Sequence, residues 1–448
     1  MAETKDLETA GVHDHDVIVI GAGPSGATAA ARLAAEGHDV LVIERAHFPR
    51  FSIGESLLPQ CMQHLEEAGL LETVLAADYQ PKNGAAFTRG GVETAIDFRE
   101  KFTPGWGTTF QVERADFDQR LIDAARQKGA EVMFGAQVTA FHADSQRPAV
   151  ELRTEDGESH RLGARFVLDA SGYGRVLARL EGLERDPRQD SRCALFTHVQ
   201  TAFSAPDHDR EKILIGVHAD DPGIWYWLIP FRDGRASVGV VGDAARLDAL
   251  AADAGPMAGE EDRQGDDDSA RLEQRWRALI ATEPRFRELL QGADLLRPVA
   301  ELRGYSADVT RLTGPGYALL GNAGEFLDPV FSSGVTIALR SASLAVPLVE
   351  RTLDGTEVDW ANEFETPLRE GIDTFRAFVD AWYDASLQTI IFHEDAPAEL
   401  KARISAVLAG YAWDRSNPFV KAPRKHLDTL AALCRLRAGA TPTIEEAP

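Results

Sequence analysis

Three clusters in this 448-residue sequence combine residue types and spacings that can do chemistry. The first is Gly21-Ala22-Gly23-Pro24-Ser25-Gly26, set between an apolar run (Asp16 to Ile20) and an alanine-rich stretch reaching about Glu36. Gly21 allows a tight turn, Gly23 lets backbone approach a pyrophosphate, and Gly26 lets a helix pack on a strand. The N-terminus of that helix offers N–H groups and partial positive charge to phosphate oxygens. A second apolar run, Val40 to Ile43, ends in Glu44, placed to accept hydrogen bonds from a ribose. Strand, glycine turn, helix, strand and acid together predict a bound dinucleotide. The second cluster is Lys82-Asn83-Gly84-Ala85-Ala86-Phe87. Taken alone, a lysine beside a glycine turn is most often a solvated surface cation. Its amine, on a flexible stem, can be neutralised by burial or donate hydrogen bonds to a small electrophile. The third cluster runs from the strand-like Tyr317 to Leu320 through Gly321-Asn322 to Ser332-Ser333-Gly334-Val335. It reads as a second turn facing phosphate or ribityl groups, followed by a helix N-terminus whose N–H groups can cradle an anion.

These residues need elements to hold them. Beyond the first strand–helix–strand unit, residues 60 to 77 read as an amphipathic helix, and a helix from about Arg114 through Gln127 leads to a strand near Val132. Strands at 133–141 and 149–153 precede Phe166 to Gly172. Residues 193 to 243 alternate apolar and polar in several runs, as strands of one sheet do. Among them Trp225-Tyr226-Trp227-Leu228-Ile229-Pro230 is a short strand. It puts residues 225, 227 and 229 on one face, with Pro230 ending ladder pairing. Its bland reading is an aromatic core strand. Between 250 and 270 the composition turns to Ala, Gly, Asp and Glu, which reads as a mobile surface loop. The consecutive Asp266, Asp267 and Asp268 cannot all face one ion, so no metal is expected. Helical segments occupy about 269–292, and after Thr336 the chain is mostly helical. There Phe375, Phe378 and Trp382 form a stripe that reads as core, with a disordered tail from Ala438.

Composition narrows the function classes. With 44% hydrophobic residues the chain supports a sizeable core. Lys plus Arg number 47 against 71 Asp plus Glu, a formal charge of -24, which disfavours nucleic acid and anionic membranes as partners. No apolar run of about 18 residues predicts a membrane span, and the polar first fifteen residues are unlike a signal peptide. Cys61, Cys193 and Cys434 stand far apart, which fits a reducing cytoplasm and argues against a disulfide framework or a zinc site.

Several stretches together resemble the flavin-dependent halogenases. Trp225 to Pro230 fits their Trp-x-Trp-x-Ile-Pro pattern, and Lys82 to Phe87 is similar to the Lys-x-Gly-Ala-x-Phe setting of their active-site lysine. Gly54-Glu55-Ser56-Leu57-Leu58-Pro59 resembles the segment beneath the flavin ring in halogenases and geranylgeranyl-reductase-like flavoproteins. Phe326, Pro329, Ser332 and Gly334 match the Phe-x-x-Pro-x-x-Ser-x-Gly frame. The resemblance implies an α/β fold of the aromatic-hydroxylase type, with three parts. An FAD-binding Rossmann-like domain (14–190 and 296–350) is interleaved with a substrate-layer β-sheet (80–112 and 191–295), and a C-terminal helical region spans 351–448. It implies FAD contacts at Gly21, Gly23, Ser25, Gly26, Glu44, Arg45, Gly54, Glu55, Ser56, Arg114, Asn322 and Val335, and a chloride or bromide site at Ser333 and Gly334. Arg114 also reads simply as part of an acid-rich first helical turn. Lys82 becomes the catalytic residue, while Trp225 and Trp227 shield the flavin from organic substrate.

The implied reaction uses reduced FAD from a separate flavin reductase, oxygen and halide. Its substrate is an electron-rich aromatic of phenol or pyrrole type, free or tethered to an acyl or peptidyl carrier protein, in cytoplasmic antibiotic or pigment biosynthesis. Two departures stand out: Asn322 replaces the family's aspartate, and Tyr173-Gly174 is inserted between Gly172 and Arg175. The alternatives are a monooxygenase or reductase of the same fold acting directly at the flavin, and a non-catalytic flavin-binding relative.

Overall fold

The computed structural model describes residues 14–201, 208–254, 268–393 and 397–439. Its first layer is built from the strand–turn–helix–strand unit: β1 (Asp14–Ile20), α1 (Pro24–Ala35) and β2 (Val40–Glu44). β1 pairs in parallel with β2 on one side and with Ser159–Asp169 on the other; Tyr317–Leu319 and Glu131–Phe134 extend the sheet outward. Every residue of β2 is buried, as expected of a parallel strand covered on both faces. The helix Ser333–Leu353 packs against α1, so both glycine turns are held by one body.

The second layer is a sheet ordered Asp294–Leu295, Cys193–Gln200, Arg235–Gly242, Trp225–Pro230, Lys212–Val217, Gly84–Arg89, Val92–Asp97. Ala300–Arg303 also pairs with Cys193–Gln200, so the sheet extends beyond residue 295, where the sequence reading ended it. Strand alternation sorts the hexapeptide between two cores. Trp225, Trp227 and Ile229 join the large core shared with the first layer. Tyr226 and Leu228 join a smaller core with Trp276, Leu279 and Phe286 on the opposite face. Pro230 is the last residue of its strand, opposite Ala236.

Three expectations need correction. Residues 60 to 77 do not form one helix; they make Gln60–Glu67 and Leu71–Leu75, separated where Gly69 takes a left-handed φ of 63° and ends the first. The segment read as a loop from 250 begins inside a helix, Ala244–Ala254, and ends at the helix Asp268–Ala281; residues 255–267 lie outside the described residues. The last helix, Pro423–Gly439, continues past Ala438, and the tail from 440 is likewise outside them. The aromatic stripe of Thr366–Tyr383 is core: Phe375, Phe378 and Trp382 are fully buried. Among the described residues no helix is long and apolar enough to cross a membrane.

Candidate active site

A cavity of about 540 Å³ lies where the two layers meet. One end is polar, walled by Gly21, Gly23, Ser25, Glu44 and Arg45; the other is apolar, walled by Trp225, Trp227, Ile213, Ile215 and Ile229. At the polar end the glycines have distinct physical jobs. Gly21 has φ 99°, and a Cβ there would lie 2.6 Å from Ala170 O; a Cβ on Gly26 would lie 1.9 Å from Gly21 O. Gly26 therefore sits under the turn rather than in the cavity wall. A Cβ on Gly23, by contrast, would meet nothing closer than the Arg50 guanidinium, at 3.7 Å. The Glu44 carboxylate accepts from Ala22 N and Ala46 N, both at 2.9 Å, which fixes it at the cavity edge.

Gly54, Glu55 and Ser56 also line the cavity. Arg114 faces it too, held by two bonds to Asp118 (2.8 and 2.9 Å) and by donation to Ile53 O. Lys82 is not on the cavity wall. It is about 1% exposed, and its Nζ donates to Ser56 Oγ (2.6 Å) and Leu57 O (2.8 Å), reaching the cavity only through Ser56. The surface-cation reading is thus wrong for this residue. Burial pushes its amine down to about 7. The neighbouring Cys61 thiol, itself pushed up by burial, offsets this only in part.

The tryptophans are held by their indole N–H groups. Trp225 Nε1 donates to Tyr383 Oη (2.9 Å) and Trp227 Nε1 to Ser237 Oγ (3.1 Å). Trp227 lies on Gly239, its cross-strand partner, where a Cβ would come within 2.4 Å of the ring. Tyr383 and Tyr305 both donate to Asp328 Oδ2, at 2.8 and 2.9 Å. Burial raises the Asp328 carboxyl, and both phenols are raised well above their ordinary range by burial and the nearby Asp328. This Tyr–Asp–Tyr cluster is not legible in the sequence, because Tyr383 lies on a helix whose aromatics read as core.

The anion-cradle segment follows directly. Ser332 has a left-handed φ of 56° and starts the helix Ser333–Leu353. Ser332, Gly334 and Val335 line the cavity, while Ser333 is buried and outside its wall. Asn322 lines the cavity, and its Oδ1 is buried with no partner among the described residues; the same holds for Glu55 Oε2. Two buried acceptors left open in one cavity call for a donor-bearing ligand, since each otherwise costs about 1–3 kcal/mol.

The FAD binding domain family matches residues 14–286. The chain belongs to this family. A tryptophan 2-halogenase of Chondromyces crocatus is 32% identical over 78% of this chain and 63% of its own length, so the match spans less than two thirds of that relative. A 1H-pyrrole-2-carbonyl peptidyl-carrier protein chlorinase of Pseudomonas fluorescens is 28% identical over 86% of both chains. Among solved structures, a flavoprotein/dehydrogenase from Cytophaga hutchinsonii superposes with a TM-score of 0.87 at 39% identity, covering 95% of this chain and 100% of that one.

FAD fits what the cavity offers. A diphosphate needs the open backbone at Gly23, and Arg50 stands beside it as a cation that the motif reading missed. Ribityl hydroxyls are donors for Asn322 Oδ1, and the apolar end suits an aromatic ring. Asn322 keeps an acceptor where the family's aspartate would place a charge. Gly26→Ala is expected to weaken FAD binding at least tenfold, read by quenching of flavin fluorescence, because its methyl would collide with the backbone that shapes the turn.

Proposed function

We propose that this protein is a flavin-dependent halogenase that places chloride or bromide on an electron-rich ring of phenol or pyrrole type, presented free or on a carrier protein. A separate reductase delivers the reduced cofactor. When bound, FAD with oxygen and halide supplies hypohalous acid, the electrophile. The chain's own residues do the rest. Gly334 and Val335, at a helix N-terminus on the cavity wall, offer backbone N–H groups to halide. Trp225 and Trp227 fill the apolar end and exclude organic substrate from it. Lys82, behind Ser56, takes the electrophile as a hydrogen-bond donor, or as an amine that exchanges an N–H for an N–halogen bond with loss of water. The observation that carries this reading is a fully buried lysine with no carboxylate partner among the described residues, one hydroxyl away from the flavin cavity. Uncompensated burial of an amine costs stability, and such costs concentrate at functional sites.

Two observations favour a second reading, a flavin oxidoreductase acting directly in the cavity. Lys82 does not line that cavity, and the 39%-identical relative is named a flavoprotein/dehydrogenase. A single experiment separates them: purified protein, FAD, a flavin reductase, NADH and bromide are incubated with electron-rich phenols and pyrroles, with catalase present, and products are weighed by mass spectrometry. A bromine isotope pair is expected from the wild type. A hydroxylated or dehydrogenated product indifferent to bromide would move the assignment to the second reading.

A further inference from the structure

Glu55 and His198 form a pair that the family patterns do not assign. Glu55 belongs to the Gly-Glu-Ser segment and is about 1% exposed; His198 lies on the strand Cys193–Gln200 of the second sheet. His198 Nε2 stands 2.7 Å from Glu55 Oε1, a polar link between the second sheet and the Gly-Glu-Ser segment. The imidazole is itself wedged edge-on between Phe51 (ring centroids 5.6 Å apart) and Phe231 (5.3 Å). One carboxylate oxygen is therefore committed to a clamped partner. The other, Oε2, is buried without a partner among the described residues, in a residue that lines the cavity. The cavity wall beyond it is apolar, formed by Trp225, Trp227 and the isoleucines.

From this geometry we infer that Glu55, oriented by His198, accepts a hydrogen bond from the ring imide N–H, which both redox forms of the bound flavin carry, and biases the protein toward the oxidised cofactor. This rests on the reading of the cavity as the FAD site. The apolar wall suits an aromatic ligand, and an N–H at the rim of such a ring would meet the open oxygen of Glu55. The direction of the bias follows from charge. Reduction adds electron density to the ring, so a fixed carboxylate in a site of low dielectric interacts less favourably with the reduced form than with the oxidised one. His198 is a positioning residue: it spends one oxygen so that the other faces the ligand.

The test titrates the purified protein with oxidised FAD and, under anaerobic conditions, with reduced FAD. Glu55→Gln keeps size but removes the charge and the carboxylate that His198 clamps. It is expected to raise the ratio of reduced to oxidised affinity about tenfold, equivalent to an upward shift of the bound couple of about 30 mV. His198→Phe keeps the ring packing, removes the clamp, and is expected to weaken oxidised FAD at least threefold in wild type but not in the Glu55→Gln background, a coupling that a merely structural role would not produce. An affinity ratio unchanged within twofold in Glu55→Gln, or additive effects of the two changes, would overturn the inference. Failure of the wild type to bind FAD in either form would overturn the FAD reading itself.

Discussion

Lys82→Met is expected to lower halogenated product by about 10³-fold or more while leaving FAD affinity within about twofold of wild type. The size follows from what the amine would do. Removing a group that holds or carries the reacting electrophile removes both its positioning and its chemistry, and each contributes orders of magnitude. The retained FAD affinity follows from the geometry: Lys82 contacts Ser56 Oγ and Leu57 O but does not line the cavity that takes the cofactor. Methionine fills much of the lysine stem, so the core around Phe98, whose ring centroid is 5.4 Å from Nζ, stays packed. The unconsumed oxidant should then leave the protein, and monochlorodimedone-type trapping in solution should rise as ring halogenation falls. If Lys82→Met halogenates as fast as wild type, the lysine is structural and takes no part in halogen transfer.

How far the sequence anticipates this arrangement depends on how local each feature is. The first glycine turn is legible because its chemistry is contained in one strand–turn–helix: Gly21, Gly23, Gly26 and Glu44 each have a job set by neighbours a few residues away. Strand periodicity likewise sorts Trp225 and Trp227 from Tyr226 without knowledge of the partners. The break at Gly69 illustrates the opposite limit, since amphipathic spacing runs through a glycine as readily as past it. Lys82 was visible as a residue but not as a buried one, because its burial depends on Leu57 and Phe98 from different elements. The pairs that orient the site are longer in range still. Trp225 and Tyr383 are 158 residues apart, and Glu55 and His198 are 143 apart. Such contacts arise only when the second sheet and the C-terminal helices close over the first layer.

That closure suggests why oxidant generation and halogen transfer can share a small protein. The cavity end at Trp225, Trp227 and the isoleucines is sealed by indoles fixed through Tyr383 and Ser237, so little room remains for a second organic ring. Lys82 is reached only past Ser56. The Ser56 hydroxyl stands between the cavity and the lysine amine, a gap that a small acid would pass more readily than a phenol or pyrrole. Gly239 is the thin point of this wall: Gly239→Ala should tilt Trp227 off its strand partner into the cavity, since the added methyl cannot share space with the indole.

The same lysine should also leave a mark on stability. Folded, its amine is pushed down to about 7 from an ordinary 10.5, because burial disfavours the charged form. Between those values the unfolded chain holds a proton that the folded chain lacks, so unfolding free energy rises with pH across this window. Below about 7 the full penalty is present, since even the folded protein must carry a buried charge or give up a proton that water would keep. At 1.36 kcal/mol per pH step, the shift corresponds to about 5 kcal/mol as an upper bound. Lys82→Met removes the group from both states. The variant is therefore expected to be more stable than wild type, by several kcal/mol near pH 6 and by progressively less toward pH 10. Urea unfolding of both proteins at a series of pH values would read this directly. Curves that run parallel across the window would mean that the lysine keeps its charge in the folded protein, and with it no free amine near neutral pH to receive a halogen.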